Sequence, residues 1–160
     1  MITYDEKVLN YIARMSCGGM RDAITTLDKC LAYSADLTIE NVVTALGLSN
    51  YDTMCRFLSS IVEVDNTKQI EIINEVYMAG KDLKQFIKDF TYFVVDCCKF
   101  NLGAGDYITC PDTDEIMSAF KKVDLTDSTS LLNSLIRLQA DIKWDTNPLA
   151  RIEAWCITKE

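Results

Sequence analysis

The hydrophobic residues of this chain recur at intervals of three and four positions over most of its length, and short polar breaks separate one such stretch from the next. Residues at this spacing lie on one side of an α-helix, so each stretch predicts an amphipathic helix. No stretch of useful length alternates between apolar and polar residues, as a half-buried β-strand would. The pattern therefore predicts an all-α fold.

Three short helices are predicted within the first part of the chain. The second carries the clearest apolar stripe, and polar caps or glycines mark where each helix begins or ends. The stripe consists of Met20, Ala23, Ile24, Leu27, Cys30 and Leu31. The helix boundaries are predicted at Asp5 and Ser16, at Gly18-Gly19, and at Thr38 and Gly47. Because the pattern restarts after Gly47, we predict a domain boundary near Leu48, with domains at 1–47 and 48–160.

The second domain is predicted to contain about five to six helices. The widest apolar surface follows Asp82 and indicates a central helix that packs on several sides. Its predicted inward residues are Leu83, Phe86, Ile87, Phe90, Phe93, Val94 and Cys97. Other inward positions include Met54, Phe57, Leu58, Ile61, Ile73, Tyr77, Phe120, Leu135 and Ile136. The remaining helices are predicted to begin at Ser49 or Asn50, at Asp65-Asn66-Thr67, at Asp112, at Asp127 or Ser128, and at Asn147-Pro148.

A net charge of −8 over 160 residues restricts the partners that we expect for this chain. Binding to duplex DNA depends on many Lys and Arg contacts to phosphates, and an acidic surface repels the phosphate backbone. We therefore expect no direct nucleic-acid binding. The longest apolar runs are far shorter than the ~20 residues that a membrane helix needs. Since the first residues also lack the features of a signal peptide, the expected location is the cytoplasm.

The seven cysteines are scattered, and the chain has no histidine. Structural zinc sites usually contain closely spaced Cys or His pairs, and no CxxC pair occurs here. Most of the cysteines lie beside apolar residues, so we predict buried, reduced thiols and no metal site. The absence of histidine also removes the commonest general base.

One segment, Gly18-Gly19-Met20-Arg21-Asp22, differs from the rest of the sequence. Its glycines allow a sharp turn into the second helix, and Arg21 lies in the first turn of that helix, where the helix dipole disfavours a cation. An arginine beside the exposed N–H groups of a helix start suits a phosphate. The simpler interpretation from the residues alone is a surface ion pair with Asp22, Asp28 or Glu6. No phosphate loop or other catalytic motif accompanies the segment.

Two runs of residues resemble the gamma/tau subunit of bacterial DNA polymerase III, an AAA+ clamp loader. The first run contains Ile2-Thr3-Tyr4-Asp5-Glu6, Leu9, Ile12-Ala13, Gly18-Gly19-Met20-Arg21-Asp22-Ala23, Leu27-Asp28 and Tyr33, followed by Leu37-Thr38, Val42 and Leu46-Gly47. The second, looser run is Asn147-Pro148-Leu149-Ala150-Arg151-Ile152-Glu153, in which the arginine that follows proline in the family is shifted or replaced. Between the runs the chain is similar only in helix pattern and length.

The resemblance implies that residues 1–47 form a three-helix AAA+ lid and residues 48–160 a helical collar. By position, Arg21 would be the sensor 2 arginine, which reaches the γ-phosphate of ATP, with Gly18, Gly19 and Asp22 shaping the helix start. The collar would bind other clamp-loader subunits, and the complete complex would place a sliding clamp on primed DNA.

The resemblance implies that the family's phosphate loop, Walker B motif, arginine finger and zinc module lie upstream of Met1, so we expect the chain to correspond to the C-terminal part of a longer protein. ATP with Mg²⁺ is then a cofactor of that parent and not of this part. We expect no ATP hydrolysis by the chain alone, because the groups that hold the metal and the attacking nucleophile are missing. Two alternatives remain open: a self-contained helical adaptor, and the lid and collar of another AAA+ ATPase.

Overall fold

The computed structural model describes residues 1–47 and 51–158. Within them it contains nine α-helices and one pair of two-residue strands, so the predicted all-α fold is confirmed. The chain divides into two compact units. Unit 1 comprises Met1–Asn50 with Thr109–Thr113, and unit 2 comprises Tyr51–Ile108 with Asp114–Glu160. The boundary predicted near Leu48 and the helix start predicted at Ser49 or Asn50 lie outside the described residues.

Unit 1 contains three helices, and polar caps begin two of them. Their bounds are Glu6–Met15 (α1), Met20–Tyr33 (α2) and Ile39–Ala45 (α3). Asp5 caps α1 by accepting from the backbone N–H of Lys7, at 3.0 Å, and Thr38 caps α3 by accepting from that of Asn41, at 3.2 Å. Both caps satisfy N–H groups that the helix leaves without a partner. Six buried residues of the unit form one core cluster: Val8, Tyr11, Ile12, Cys30, Leu37 and Val42.

A short parallel ladder, which the sequence did not predict, joins the start of unit 1 to the segment after α2. Strand β1 (Thr3–Tyr4) pairs with β2 (Asp36–Leu37), with Thr3 opposite Asp36. The hydroxyl of Thr3 also donates to the carboxylate of Asp36. Two residues are too few to produce a recognisable alternation, which explains why the pattern missed the ladder.

Unit 2 contains six α-helices, one of which is central. Their bounds are Tyr51–Val62 (α4), Asn66–Met78 (α5), Leu83–Asn101 (α6), Asp114–Lys121 (α7), Leu125–Ile142 (α8) and Pro148–Thr158 (α9), with a 3₁₀ turn at Gly105–Tyr107. All seven residues predicted to point inward from α6 are buried. The ring of Phe90 packs edge-on against that of Phe57, with centroids 4.8 Å apart. Helix α6 is therefore the centre of an aromatic core.

The sequence placed several residues and two helix starts incorrectly. Helix α7 begins at Asp114, two residues after the predicted Asp112. Met20 and Ile24 were assigned to the apolar stripe of α2 but are 75% and 53% exposed, and Tyr77 and Ile136 are also exposed. Helix α8 begins at Leu125, because the Asp124 carboxylate caps it by accepting from the N–H of Asp127 at 2.7 Å. Periodicity identifies the apolar side of a helix but not how much of that side a small unit can cover.

Six of the seven cysteines are buried, as predicted, whereas Cys17 is exposed. Burial raises the pKa of Cys55 to about 12, helped by the charges of Glu115 and Asp52, and burial raises the pKa of Cys97 to about 12 as well. A thiol with so high a pKa is a poor nucleophile, so these side chains act as small apolar core residues. Across residues 1–47 and 51–158, no helix is both long and apolar enough to cross a bilayer.

Candidate functional site

The turn that leads into α2 requires glycine at two consecutive positions, for two different reasons. Gly18 has a φ of +82°, a left-handed conformation that disfavours residues with a side chain. Gly19 has an ordinary φ, but a Cβ there would lie 3.1 Å from a carboxylate oxygen of Asp22 and 3.1 Å from the carbonyl oxygen of Ser16. Its N–H donates to the same carbonyl, at 2.8 Å. The two glycines thus allow the chain to fold back tightly before α2 begins.

The start of α2 lacks the side-chain cap that other helices of this chain possess. Gly19 occupies the N-cap position, and no side chain accepts a hydrogen bond from the first turn. Asp5, Thr38, Asp65, Asp82 and Asp124 cap α1, α3, α5, α6 and α8 in this way. The first N–H groups of a helix have no carbonyl partner inside it. At α2 they are therefore left for solvent or for an acceptor from outside.

Arg21 lies in this uncapped first turn with its side chain exposed. Within the described part of the chain, its guanidinium forms no ion pair or hydrogen bond, and the surface ion pair with Asp22, Asp28 or Glu6 is not formed. Only its backbone is engaged, since its carbonyl accepts from the Thr25 hydroxyl at 2.9 Å. A cation here opposes the helix dipole, whereas Asp22 one residue later complements it. The local fold gives Arg21 no counter-charge of its own.

The four predicted site residues therefore come together at one helix start, in one exposed turn. Gly18 and Gly19 set the direction of the backbone, Arg21 provides a free cation, and Asp22 lies against Gly19. This arrangement suits an anionic oxygen cluster, because open N–H groups and a guanidinium are complementary to it. The role of Arg21 in nucleotide sensing stays a prediction.

Sequence reasoning missed Arg14, which lies in the last turn of α1 just before the glycines. Its carbonyl accepts from the N–H of Cys17, at 3.2 Å, and so closes the turn that precedes Gly18. Its side chain is half-buried, and its Nε is buried without a hydrogen-bond partner in the described structure. Buried donors are rarely left unpaired, but no feature of the sequence around Arg14 indicated this one.

A second cluster of titratable groups lies between α4 and α7 in unit 2. Burial of Glu115, together with a hydrogen bond to Asp52 and the charge of that carboxylate, raises the pKa of the Glu115 carboxyl. The nearby Cys55 thiol is held protonated by its own raised pKa. Because the Cys55 thiol is protonated and the Glu115 carboxyl is paired with Asp52, the cluster favours a structural over a catalytic interpretation.

The residues of the looser motif, near the end of the chain, have structural roles. Pro148 begins α9, where its missing N–H costs no hydrogen bond. Asp145 accepts from the N–H of Asn147 at 2.9 Å and lies 3.6 Å from the guanidinium of Arg151. A carboxylate oxygen of Glu153 accepts from the side-chain amide of Asn74 at 2.7 Å, which ties α9 to α5. This motif fixes the start and the packing of the last helix.

The chain is 23% identical over 150 residues to the DNA polymerase III subunit tau of Bacillus subtilis (strain 168). The alignment covers 90% of this chain but 26% of the relative, so the chain spans about a quarter of that protein's length. No family model matches the chain. The similarity extends through both units and supports a relationship to that clamp-loader subunit.

Proposed function

We propose that this chain works in a clamp-loader-type assembly, with unit 1 as a lid that senses ATP and unit 2 as a collar that binds neighbouring subunits. The observation that carries the proposal is the exposed, unpaired Arg21 in the uncapped first turn of α2. The similarity to a DNA polymerase III tau subunit supports a role in the same kind of assembly.

The proposed lid mechanism follows from the chemistry of that helix start. In the parent protein, the guanidinium of Arg21 would donate to the γ-phosphate of ATP bound with Mg²⁺ in the ATPase core. A charge-assisted pair of this kind contributes about 1.5–3 kcal/mol, and loss of the γ-phosphate on hydrolysis removes it. Because Cys30 of α2 is buried in the core of unit 1 and Leu27 and Leu31 pack against that core, the whole unit would respond to the contact.

The proposed collar role rests on exposed apolar residues in unit 2. Trp144 is 84% exposed, with the Lys143 ammonium 5.2 Å from the centre of its ring, and Tyr92 and Ile136 are more than half exposed. Large exposed aromatic residues are typical anchors of protein interfaces. We propose that they contact other clamp-loader subunits, and that the sliding clamp and primed DNA are reached only through the whole complex.

The nucleotide-sensing part is tested by Arg21→Ala in the complete loader, assembled from the parent protein and its partner subunits. We expect affinity for a non-hydrolysable ATP analogue to fall by about tenfold to a hundredfold, which corresponds to the loss of one charge-assisted contact. Arg137→Ala is the matched control, because Arg137 is exposed on α8 and has no proposed role. Equal nucleotide affinity in the two variants would refute the sensing role.

The assembly part is tested separately, by size-exclusion chromatography of this chain with loader subunits. We expect co-elution with those subunits, and expect Trp144→Ala to weaken it. Failure to co-elute would instead favour the self-contained adaptor.

A further inference from the structure

Unit 2 contains an apolar groove of about 280 Å³ between the end of α4, the first half of α8, and α9. Its lining includes Val62 and Val64 at the end of α4, Asp127 and Leu131 of α8, and Trp155 of α9. The indole N–H of Trp155 donates to the Ser134 hydroxyl, so both of these side chains are fixed in the groove wall. The groove is therefore pre-formed on its α8 and α9 side.

Val64 adopts a backbone conformation that is unfavourable for valine. It has a φ of +57°, in the left-handed region where β-branched residues are rarely found. Its N–H donates to the carbonyl of Ile61 at 3.1 Å, and the next N–H, of Asp65, donates to that of Ser60 at 2.9 Å. This pair of bonds is the Schellman ending of a helix, which normally has glycine at the position of Val64.

The same unit provides the comparison that makes Val64 unusual. Helix α5 ends with the same two hydrogen bonds around Gly80, at φ +74°, and α6 ends with them around Gly103, at φ +80°. At the end of α4 the chain has valine instead, and that side chain is 70% exposed. Val64 therefore introduces backbone strain, and its side chain buries little apolar surface within unit 2. Strain of this kind is a reason to look for a function outside the fold.

The charges around the groove indicate what kind of partner fits it. Asp127 is the charged residue that lines it, and it forms no ion pair with any other residue that the structure describes. Glu63, Asp65 and Asp124 are immediate sequence neighbours of lining residues, against the single basic neighbour Lys122, and none of the lining residues that the structure describes is Lys or Arg. Carboxylates at the edge of an apolar groove favour a basic partner. A second copy of this chain fits less well, because copies with a net charge of −8 repel each other.

We propose that this groove binds a basic amphipathic helix of a partner protein, separate from the subunit contacts proposed for the collar. Asp127, Leu131 and Ser134 follow one another at helical spacing, so they line the groove along the axis of α8. A docked helix would place apolar side chains one turn apart against Val64 and Trp155, which is the usual pattern of helix-in-groove recognition. A Lys or Arg of that helix would pair with Asp127.

The test uses a designed helical peptide of about 16 residues, long enough to form a helix on binding, with Leu at i and i+4 and Lys at the flank. Two matched peptides replace the Leu residues by Ser or the Lys residues by Glu. Binding to the full chain is measured by isothermal titration calorimetry and by chemical shifts of backbone amides. We expect the Leu/Lys peptide to bind best, with shifts concentrated at Val64, Asp127 and Leu131.

Val64→Gly separates the proposed role from an effect on folding. We expect this variant to be at least as stable as the natural chain, because glycine relieves the strain, while its affinity for the peptide falls by about fivefold or more. Asp127→Asn should bring the affinities for the Lys and Glu peptides close together. Met78→Ser, which changes an exposed apolar residue of α5 outside the groove, should leave binding unchanged.

Three results would overturn the proposal. The first is no binding of the Leu/Lys peptide up to millimolar concentration. The second is unchanged affinity in Val64→Gly. The third is self-association of the chain in sedimentation velocity that Val64→Gly abolishes, since a second copy would then occupy the groove.

Discussion

Replacement of Phe90 by alanine should destabilise unit 2 more than most single changes. The ring is fully buried in the middle of α6, 4.8 Å from that of Phe57, with the rings of Phe86 and Phe93 at 6.4 and 6.2 Å. Removing a buried Phe side chain costs about 3–5 kcal/mol, because apolar contacts are lost and a cavity remains. Set against a typical domain stability of about 5–15 kcal/mol, this is a large fraction.

A double-mutant cycle isolates the pair at the centre of this core. Phe57→Leu and Phe90→Leu, made singly and together, should give a coupling free energy of about 0.5–1.5 kcal/mol, as expected for two aromatic rings in edge-on contact. Tyr92→Ala is the matched control, because Tyr92 lies on the same helix but is 60% exposed. Its effect should remain within about 0.5 kcal/mol.

Urea unfolding followed by tryptophan fluorescence measures these changes in the free energy of unfolding of unit 2. The chain has two tryptophans, and both Trp144 and Trp155 belong to unit 2, so the signal does not depend on unit 1. A cost below about 1 kcal/mol for Phe90→Ala would refute the central position of α6. So would an equal cost for Tyr92→Ala.

Three further predictions concern protonation, thiol access and the site helix. Because its folded-state pKa is raised, Glu115 contributes stability that is present below the ordinary pKa of 4.5 and is lost as pH rises through the folded value. The side chain of Glu115→Gln can still donate to Asp52 but does not ionise. In urea titrations, the free energy of unfolding of this variant relative to that of the natural chain should therefore be higher at about pH 7 than at about pH 4. One of the seven thiols, that of Cys17, should react rapidly with Ellman's reagent in the folded chain, and Cys17→Ser should remove the fast phase, because the other six are buried. Arg21→Gln should raise the thermal unfolding midpoint through a gain of about 0.3–1 kcal/mol, since it removes a cation from the start of α2 at little cost in helix propensity. The control Arg137→Gln, in the middle of α8, should leave the midpoint unchanged. Equal midpoints for these two variants would contradict the dipole argument.

Much of the fold follows from local signals in the sequence. Asp82 could be identified as the cap of α6, and every inward residue predicted for that helix is buried, because a long central helix has apolar residues around most of its circumference. Gly47 was predicted at the end of α3 and does follow its C-cap, with a φ of +62°. In these places propensity, capping and periodicity agree, and prediction is reliable when they do.

Prediction failed where the outcome depends on packing between elements. Ile136 fits the apolar stripe of α8 but faces solvent, because the partner helices cover only part of that stripe. The strain at Val64 has no signal in the sequence, since valine is an ordinary residue and its φ is set by the turn between α4 and α5. The Gly18-Gly19 turn was visible in the sequence, but only the positions of the acidic residues in ranges 1–47 and 51–158 show that none of them pairs with Arg21.

Arg21 and Val64 share a property that links the two proposals. Each lies where the chain by itself would be more stable with another residue: a neutral or acidic one in the first turn of α2, and a glycine at the end of α4. Each is exposed, so neither cost is offset by burial within its own unit. A fold selected for stability alone would lose both residues, because most of the exposed surface tolerates substitution. Their presence is explained if each side chain contacts another molecule: a nucleotide phosphate for Arg21 and an apolar helix for Val64.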